Sequence, residues 1–89
     1  MTASRKILNP GNLAIETCVY TLDATAFKAI KSALKTSGRL TPGGYWTRQI
    51  NDAAARGRKN GGCPVVTTAG FGASEFEQLC AACGVTVER

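Results

Sequence analysis

The side chains that most often carry chemistry are sparse in this sequence, which has no histidine, four cysteines and six carboxylates. Without histidine the chain lacks both the usual general base near neutral pH and the commonest metal ligand. The carboxylates are scattered. Glu75 and Glu77 stand two apart in a helical pattern, so they point different ways and suit the start of a helix. There Ser74 with Glu77 makes a capping box, and the acidic first turn complements the helix dipole. No catalytic residue emerges, and the chain reads as a non-enzyme.

Cys80-Ala81-Ala82-Cys83-Gly84 has the Cys-x-x-Cys spacing of zinc and redox motifs, and Cys18 and Cys63 could complete a set of four thiolates. Two features favour packing instead. Cys80 and Cys83 repeat at helical spacing with Phe76 and Leu79, and they fall at the C-terminal end of that helix, where the dipole does not acidify a thiol. We read the four cysteines as thiols and Cys80 and Cys83 as core packing, with no metal ligand and no cofactor assigned; a zinc-stabilised domain is the minor alternative. The glycines make no phosphate loop, because Gly44 and Cys63 follow the glycine pairs Gly38/Gly43 and Gly57/Gly62 where the phosphate-binding lysine belongs.

The strongest chemical signal is charge. From Ala24 to Lys59 eight basic residues (Lys28, Lys31, Lys35, Arg39, Arg48, Arg56, Arg58, Lys59) face one acid, Asp52, while the rest of the chain is net acidic. Such asymmetry gives a one-sided field that attracts acidic partners. Tyr45 and Trp46 lie within the basic stretch. Trp46 fits the core side of a helix and Tyr45 is the freer ring.

These residues need elements to hold them. Met1 to Asn12 has little periodicity and ends in Asn-Pro-Gly-Asn, so residues 1–12 read as a flexible tail and 13–89 as a single domain. Leu13 to Leu22 is rich in β-branched and aromatic residues and reads as a strand. Asp23 suits the N-cap of a helix reaching Ser37, with Gly38 ending it. On that helix Phe27, Ile30 and Leu34 form an apolar stripe, and Lys28, Lys31 and Lys35 a second stripe on another face. Thr41-Pro42 predicts the opening of a second helix that Gly57 stops, with Trp46, Ile50, Ala53 and Ala54 buried. Arg56 to Gly62 then reads as a mobile basic loop. Cys63 to Thr68 predicts a strand, Gly70-Phe71-Gly72 a turn, Ser74 onward a capped helix, and Val85 to Glu88 a last strand. The expectation is an α+β fold of order β-α-α-β-α-β, a small antiparallel three-stranded sheet packed against three helices.

That order, with FKAIKSALKTSG in the first helix and the ending PVVTT and GASEFEQLCAACGVTVER, resembles the C-terminal domain of the bacterial ribosomal stalk protein, a fold shared with the ClpS adaptor. The likeness spans Leu13 to Glu88. It implies that Lys28, Lys31 and Lys35 sit on a helix used to dock partner proteins. Where that family has a lysine-rich start to its second helix, this chain has LTPGGYWTRQINDAA.

The sequence thus predicts a small protein-interaction module that docks an acidic protein surface through Lys28, Lys31, Lys35, Arg39, Tyr45, Arg48, Arg56, Arg58 and Lys59. Nucleic acid bound by the same residues is the alternative. The size suits a phage or mobile-element accessory protein that inhibits or redirects a host complex. No apolar run approaches the ~20 residues needed to cross a bilayer and no export signal is evident, which predicts a cytoplasmic protein without a membrane partner.

Overall fold

The computed structural model describes residues 1–8, 16–70 and 72–88. The fold is α+β, with three helices and a four-stranded mixed sheet. In chain order the elements are β1 (Thr2–Ile7), β2 (Thr17–Leu22), α1 (Ala24–Thr36), α2 (Tyr45–Lys59), β3 (Val65–Ala69), α3 (Gly72–Ala82) and β4 (Thr86–Glu88). The sheet order is β3-β2-β1-β4, with β1 antiparallel to β2, β2 antiparallel to β3, and β1 parallel to β4. This corrects the expectation of a three-stranded antiparallel sheet and of its element order.

The missing strand was β1. Residues Thr2–Ile7, read from sequence as part of the tail, form an inner strand bonded on both sides. Its alternation is hidden because the inward row is Ala3, Arg5 and Ile7, aligned with Leu22, Tyr20 and Cys18 of β2. A cation occupies the middle of that row, so the period-two apolar pattern that marks a half-buried strand is broken. The Asn9–Asn12 turn and the Leu13–Ile15 start of the expected strand lie outside the described residues, as do Phe71 and Arg89.

Registered residues share a face. Cys18, Tyr20, Leu22 and Val66 are buried on one face of the sheet, where Ile30 and Leu34 of α1, Ile50 and Ala53 of α2, and Phe76, Leu79 and Cys80 of α3 close over them. Tyr20 and Phe76 anchor this core with ring centroids 4.7 Å apart and planes tilted by 49°. Burying a side chain of this size contributes roughly 1.5–3 kcal/mol. On the opposite face Ser4, Lys6, Thr86 and Glu88 are exposed.

The first helix follows its sequence signals. The Asp23 carboxylate accepts the Ala26 N–H at 2.7 Å, and beyond Ser37 the left-handed Gly38 lets Arg39 donate its N–H to the Leu34 carbonyl at 2.9 Å. This six-to-one bond, with that of Gly38 to the Lys35 carbonyl, closes a Schellman cap. Asp23 also accepts the Thr2 N–H at 2.8 Å, tying β1 to the start of α1. These bonds, the Ala26 one first, hold the Asp23 carboxyl below its ordinary range.

The second helix departs at both ends. Thr41 to Gly44 is a turn closed by the Gly44 N–H on the Thr41 carbonyl, so the helix starts at Tyr45 with Gly44 as N-cap instead of at Thr41-Pro42. Gly57 does not stop it. A Cβ there would lie 2.9 Å from the backbone of Pro64, so this glycine is needed for the helix to approach the entry to β3. The helix continues to Lys59 and ends when the Gly62 N–H bonds the Gly57 carbonyl at 2.7 Å, through left-handed Gly61. Arg56, Arg58 and Lys59 therefore stand on a helix, not on a loop.

The third helix begins at Gly72, two residues before Ser74, so Ser74 and Glu77 do not form the expected capping box. Gly84 does end it as its sequence suggests, with Val85 N–H on the Cys80 carbonyl at 2.8 Å leading directly into β4. β3 runs Val65–Ala69, shifted from the expected Cys63–Thr68, and Pro64 is the residue before it.

Candidate functional site

Every one of the nine residues singled out from sequence is exposed: Lys28, Lys31, Lys35, Arg39, Tyr45, Arg48, Arg56, Arg58 and Lys59. Lys28, Lys31 and Lys35 share one side of α1, because steps of three and four residues return to the same face. The opposite side carries the buried Ala26, Ile30 and Leu34, so packing fixes which way the lysines point. At 1.5 Å per residue the three lysines span about 10 Å of helix.

The cations of α2 are arranged differently. Arg48, Arg56 and Lys59 recur at helical spacing on one side, with the acid Asp52 between them, while Arg58 is turned to another side by its spacing. Arg56 is also engaged with the sheet. Pairing with β2 leaves the Val65 and Thr67 carbonyls pointing away from the sheet. Arg56 donates to the Val65 carbonyl at 3.4 Å, and the Gln49 amide donates to that of Thr67 at 3.1 Å. Two side chains of α2 thus occupy acceptors that an added strand would need, which guards this edge.

Tyr45 is 51% exposed, yet its ring is not loose. It meets the Trp46 ring edge-on at 5.2 Å, and its hydroxyl accepts from the Gln49 amide at 3.1 Å. Trp46, expected in the core, is only partly buried. It lines a groove of about 490 Å³ with Arg39, Glu75, Gln78, Leu79 and Ala82.

Sequence reading missed the polar knot at the sheet. Glu77, assigned to a cap, turns inward and accepts the Tyr20 hydroxyl at 2.7 Å and the Arg5 guanidinium at 3.2 Å. The Arg5 and Glu77 side chains are 18% and 20% exposed. Burial first, then the hydrogen bond to Glu77 and its negative charge, raise the Tyr20 hydroxyl well above its ordinary pKa. Tyrosinate beside a carboxylate in the core is strongly disfavoured, so Tyr20 acts as a donor and not as an acid. An inward Arg5 at strand spacing was the available sequence signal, once β1 is recognised as a strand.

The cysteines are free and dispersed by environment. Cys18 and Cys80 are buried, Cys83 is partly buried with its thiol 3.8 Å from the Ala29 carbonyl, and Cys63 is exposed ahead of β3. Burial, with the Cys83 and Glu77 charges, pushes the Cys80 thiol up to about 11, the opposite of an activated thiol. Among the described residues no three histidine, cysteine or acidic side chains gather where they could hold a metal ion. Nor is any described helix long and apolar enough to cross a membrane.

No protein-family model, curated protein or solved structure matches the chain.

Proposed function

We propose that this protein is a non-catalytic interaction module that docks an acidic protein surface, with Lys28, Lys31 and Lys35 of α1 as its centre. The observation that carries this reading is the state of those lysines: all three are exposed, they share the face of α1 opposite its packed side, and no acidic side chain pairs with them among the described residues. Uncompensated charges keep their full attraction for a partner, and on a rigid helix they bind without a backbone ordering cost. Arg48, Arg56, Arg58 and Lys59 add to the field from α2. An accessory protein that redirects a larger complex, and a stalk-like or adaptor-like docking helix, both fit this reading.

The test compares poly-glutamate with a single-stranded oligonucleotide of equal charge, each titrated against the wild-type chain and the triple variant Lys28→Glu/Lys31→Glu/Lys35→Glu. The expected result is binding of the acidic polypeptide that falls roughly thirty-fold in the variant, corresponding to about 2 kcal/mol for three contacts. Preferential binding of the oligonucleotide, with stacking on Tyr45 or Trp46, would move the reading to nucleic acid and end the protein-docking one.

A further inference from the structure

The groove beside Trp46 is joined to the helix of the lysine stripe by Arg39, which lines it and follows Lys35 by four residues. Glu75, Gln78, Leu79 and Ala82 of α3 line it at i, i+3, i+4 and i+7, one continuous helix wall. Trp46 at the start of α2 and Arg39 after α1 form the other side. The lining is mixed, and its apolar part is Trp46, only partly buried against the core, beside the edge of the core residue Leu79. The rim is polar and asymmetric, with exposed Arg39 on one side and exposed Glu75 and Gln78 on the other. Arg39 and Glu75 do not pair with each other among the described residues, so each is available to a ligand.

Arg39 is also the next cation after Lys35, and its backbone is held in place. Its N–H closes the cap of α1 on the Leu34 carbonyl at 2.9 Å, so the guanidinium hangs from the rigid end of the helix that bears the lysines. Arg39, next along the chain after that row of lysines, thus stands on the rim of the groove, beside the part of Trp46 that is uncovered.

We propose that this groove anchors the partner: it takes one bulky apolar side chain from an acidic segment of a protein, against Trp46 and Leu79, with the neighbouring carboxylate held by Arg39. Glu75 sets the polarity of the segment. Residues on the Arg39 side of the anchor are acidic, and those on the Glu75 side are neutral or basic. Electrostatic attraction by the lysines brings the segment in, and apolar burial in the groove gives selectivity among acidic sequences.

The inference rests on the acidic-partner reading, and Trp46 allows the two to be tested apart because it is the single tryptophan of the chain. The probes are acetylated, amidated peptides: Glu-Glu-Glu-Leu-Gln-Lys, its reversed sequence, and both with serine in place of leucine. One leucine peptide is expected to bind at least ten-fold more tightly than its serine counterpart, and to shift Trp46 emission to the blue. Arg39→Glu and the milder Arg39→Gln remove that advantage while keeping the thermal transition of this exposed site, and the triple lysine reversal weakens leucine and serine peptides alike. Equal binding of leucine and serine peptides, with still emission and full sensitivity to the lysines, overturns the groove and leaves the basic-face reading standing. Loss of all peptide binding regardless of the lysines overturns both, and an emission shift produced by an equally charged oligonucleotide alone assigns the groove to stacking bases instead.

Discussion

The molecule treats charge in two opposite ways. At the sheet, Arg5 is four-fifths buried and meets Glu77, which also takes the hydrogen bond of Tyr20. On α1, Lys28, Lys31 and Lys35 are exposed and meet no acid among the described residues. The interior charges are compensated and join β1, β2 and α3, so their energy is spent on holding one arrangement. The exterior charges contribute little to that arrangement, so theirs is available to something outside the chain. A salt bridge counted from a structure and a bare lysine stripe therefore predict effects on different observables.

Glu77→Ala should produce the largest effect on folding. It leaves Arg5 with an uncompensated, largely desolvated charge and takes an acceptor from Tyr20, a loss of about 2–3 kcal/mol in denaturant unfolding. Binding of an acidic polypeptide should be unchanged in the folded fraction. A loss of binding without loss of stability would erase the distinction between the two regions.

The triple lysine reversal should show the mirror image. Its unfolding free energy should fall by no more than about 1 kcal/mol, chiefly because Lys35 lies in the last turn of α1, where the dipole favours a cation, while its affinity for poly-glutamate falls. A marked drop in stability would mean that the stripe has an internal role.

Tyr20→Phe sharpens the interior side further. Near neutral pH it should cost about 1.5 kcal/mol, the low end for a hydrogen bond to a charged acceptor. The pH dependence carries the sign. The Tyr20 pKa is raised on folding, so its contribution is complete below the unfolded value near 10.0 and is lost as pH rises past it. Cys80 acts in the same direction from 9.0 to about 11. Denaturation curves taken between neutral pH and the alkaline range should fall steeply in wild type and less steeply in Tyr20→Phe; parallel curves would rule out a titrating Tyr20–Glu77 contact.

The smallest effect is expected at the guarded edge. Gln49→Ala should lower stability by roughly 0.5–1 kcal/mol, since its two side-chain hydrogen bonds, to Tyr45 and Thr67, are lost where water can replace them. It also bares the Thr67 carbonyl. Light scattering at high concentration should then show more self-association than wild type, and unchanged scattering would show that Arg56 or the bulk of α2 suffices.

The lysine stripe was legible in the sequence because it is local. Spacing within one helix, an Asp23 cap and a terminating Gly38 need no knowledge of distant residues, and Gly84 with the alternating end of the chain is read in the same way. β1 and the polar knot were not legible for a shared reason. Arg5 is tolerable inside only because Glu77 faces it from a helix far along the chain, and Glu77 taken alone fits a capping box just as well. Gly57 shows the same ambiguity from the backbone side, since a glycine that permits close approach and one that ends a helix are identical until Pro64 is placed against it. The groove joins parts of α2, α3 and the α1–α2 connection, and no local pattern announces it.

The place of β1 in the sheet also sets an order in time. On a ribosome β1 emerges before the other strands and can pair with β2 soon afterwards, but its other neighbour is β4, whose Thr86 lies opposite Thr2. Until Thr86–Glu88 has been made, one flank of β1 carries free backbone donors and acceptors. The strand that waits holds Ser4, Arg5 and Lys6. Those polar and cationic side chains, which obscure β1 as a strand in the sequence, are the residue types that keep an unpaired edge from joining the wrong chain.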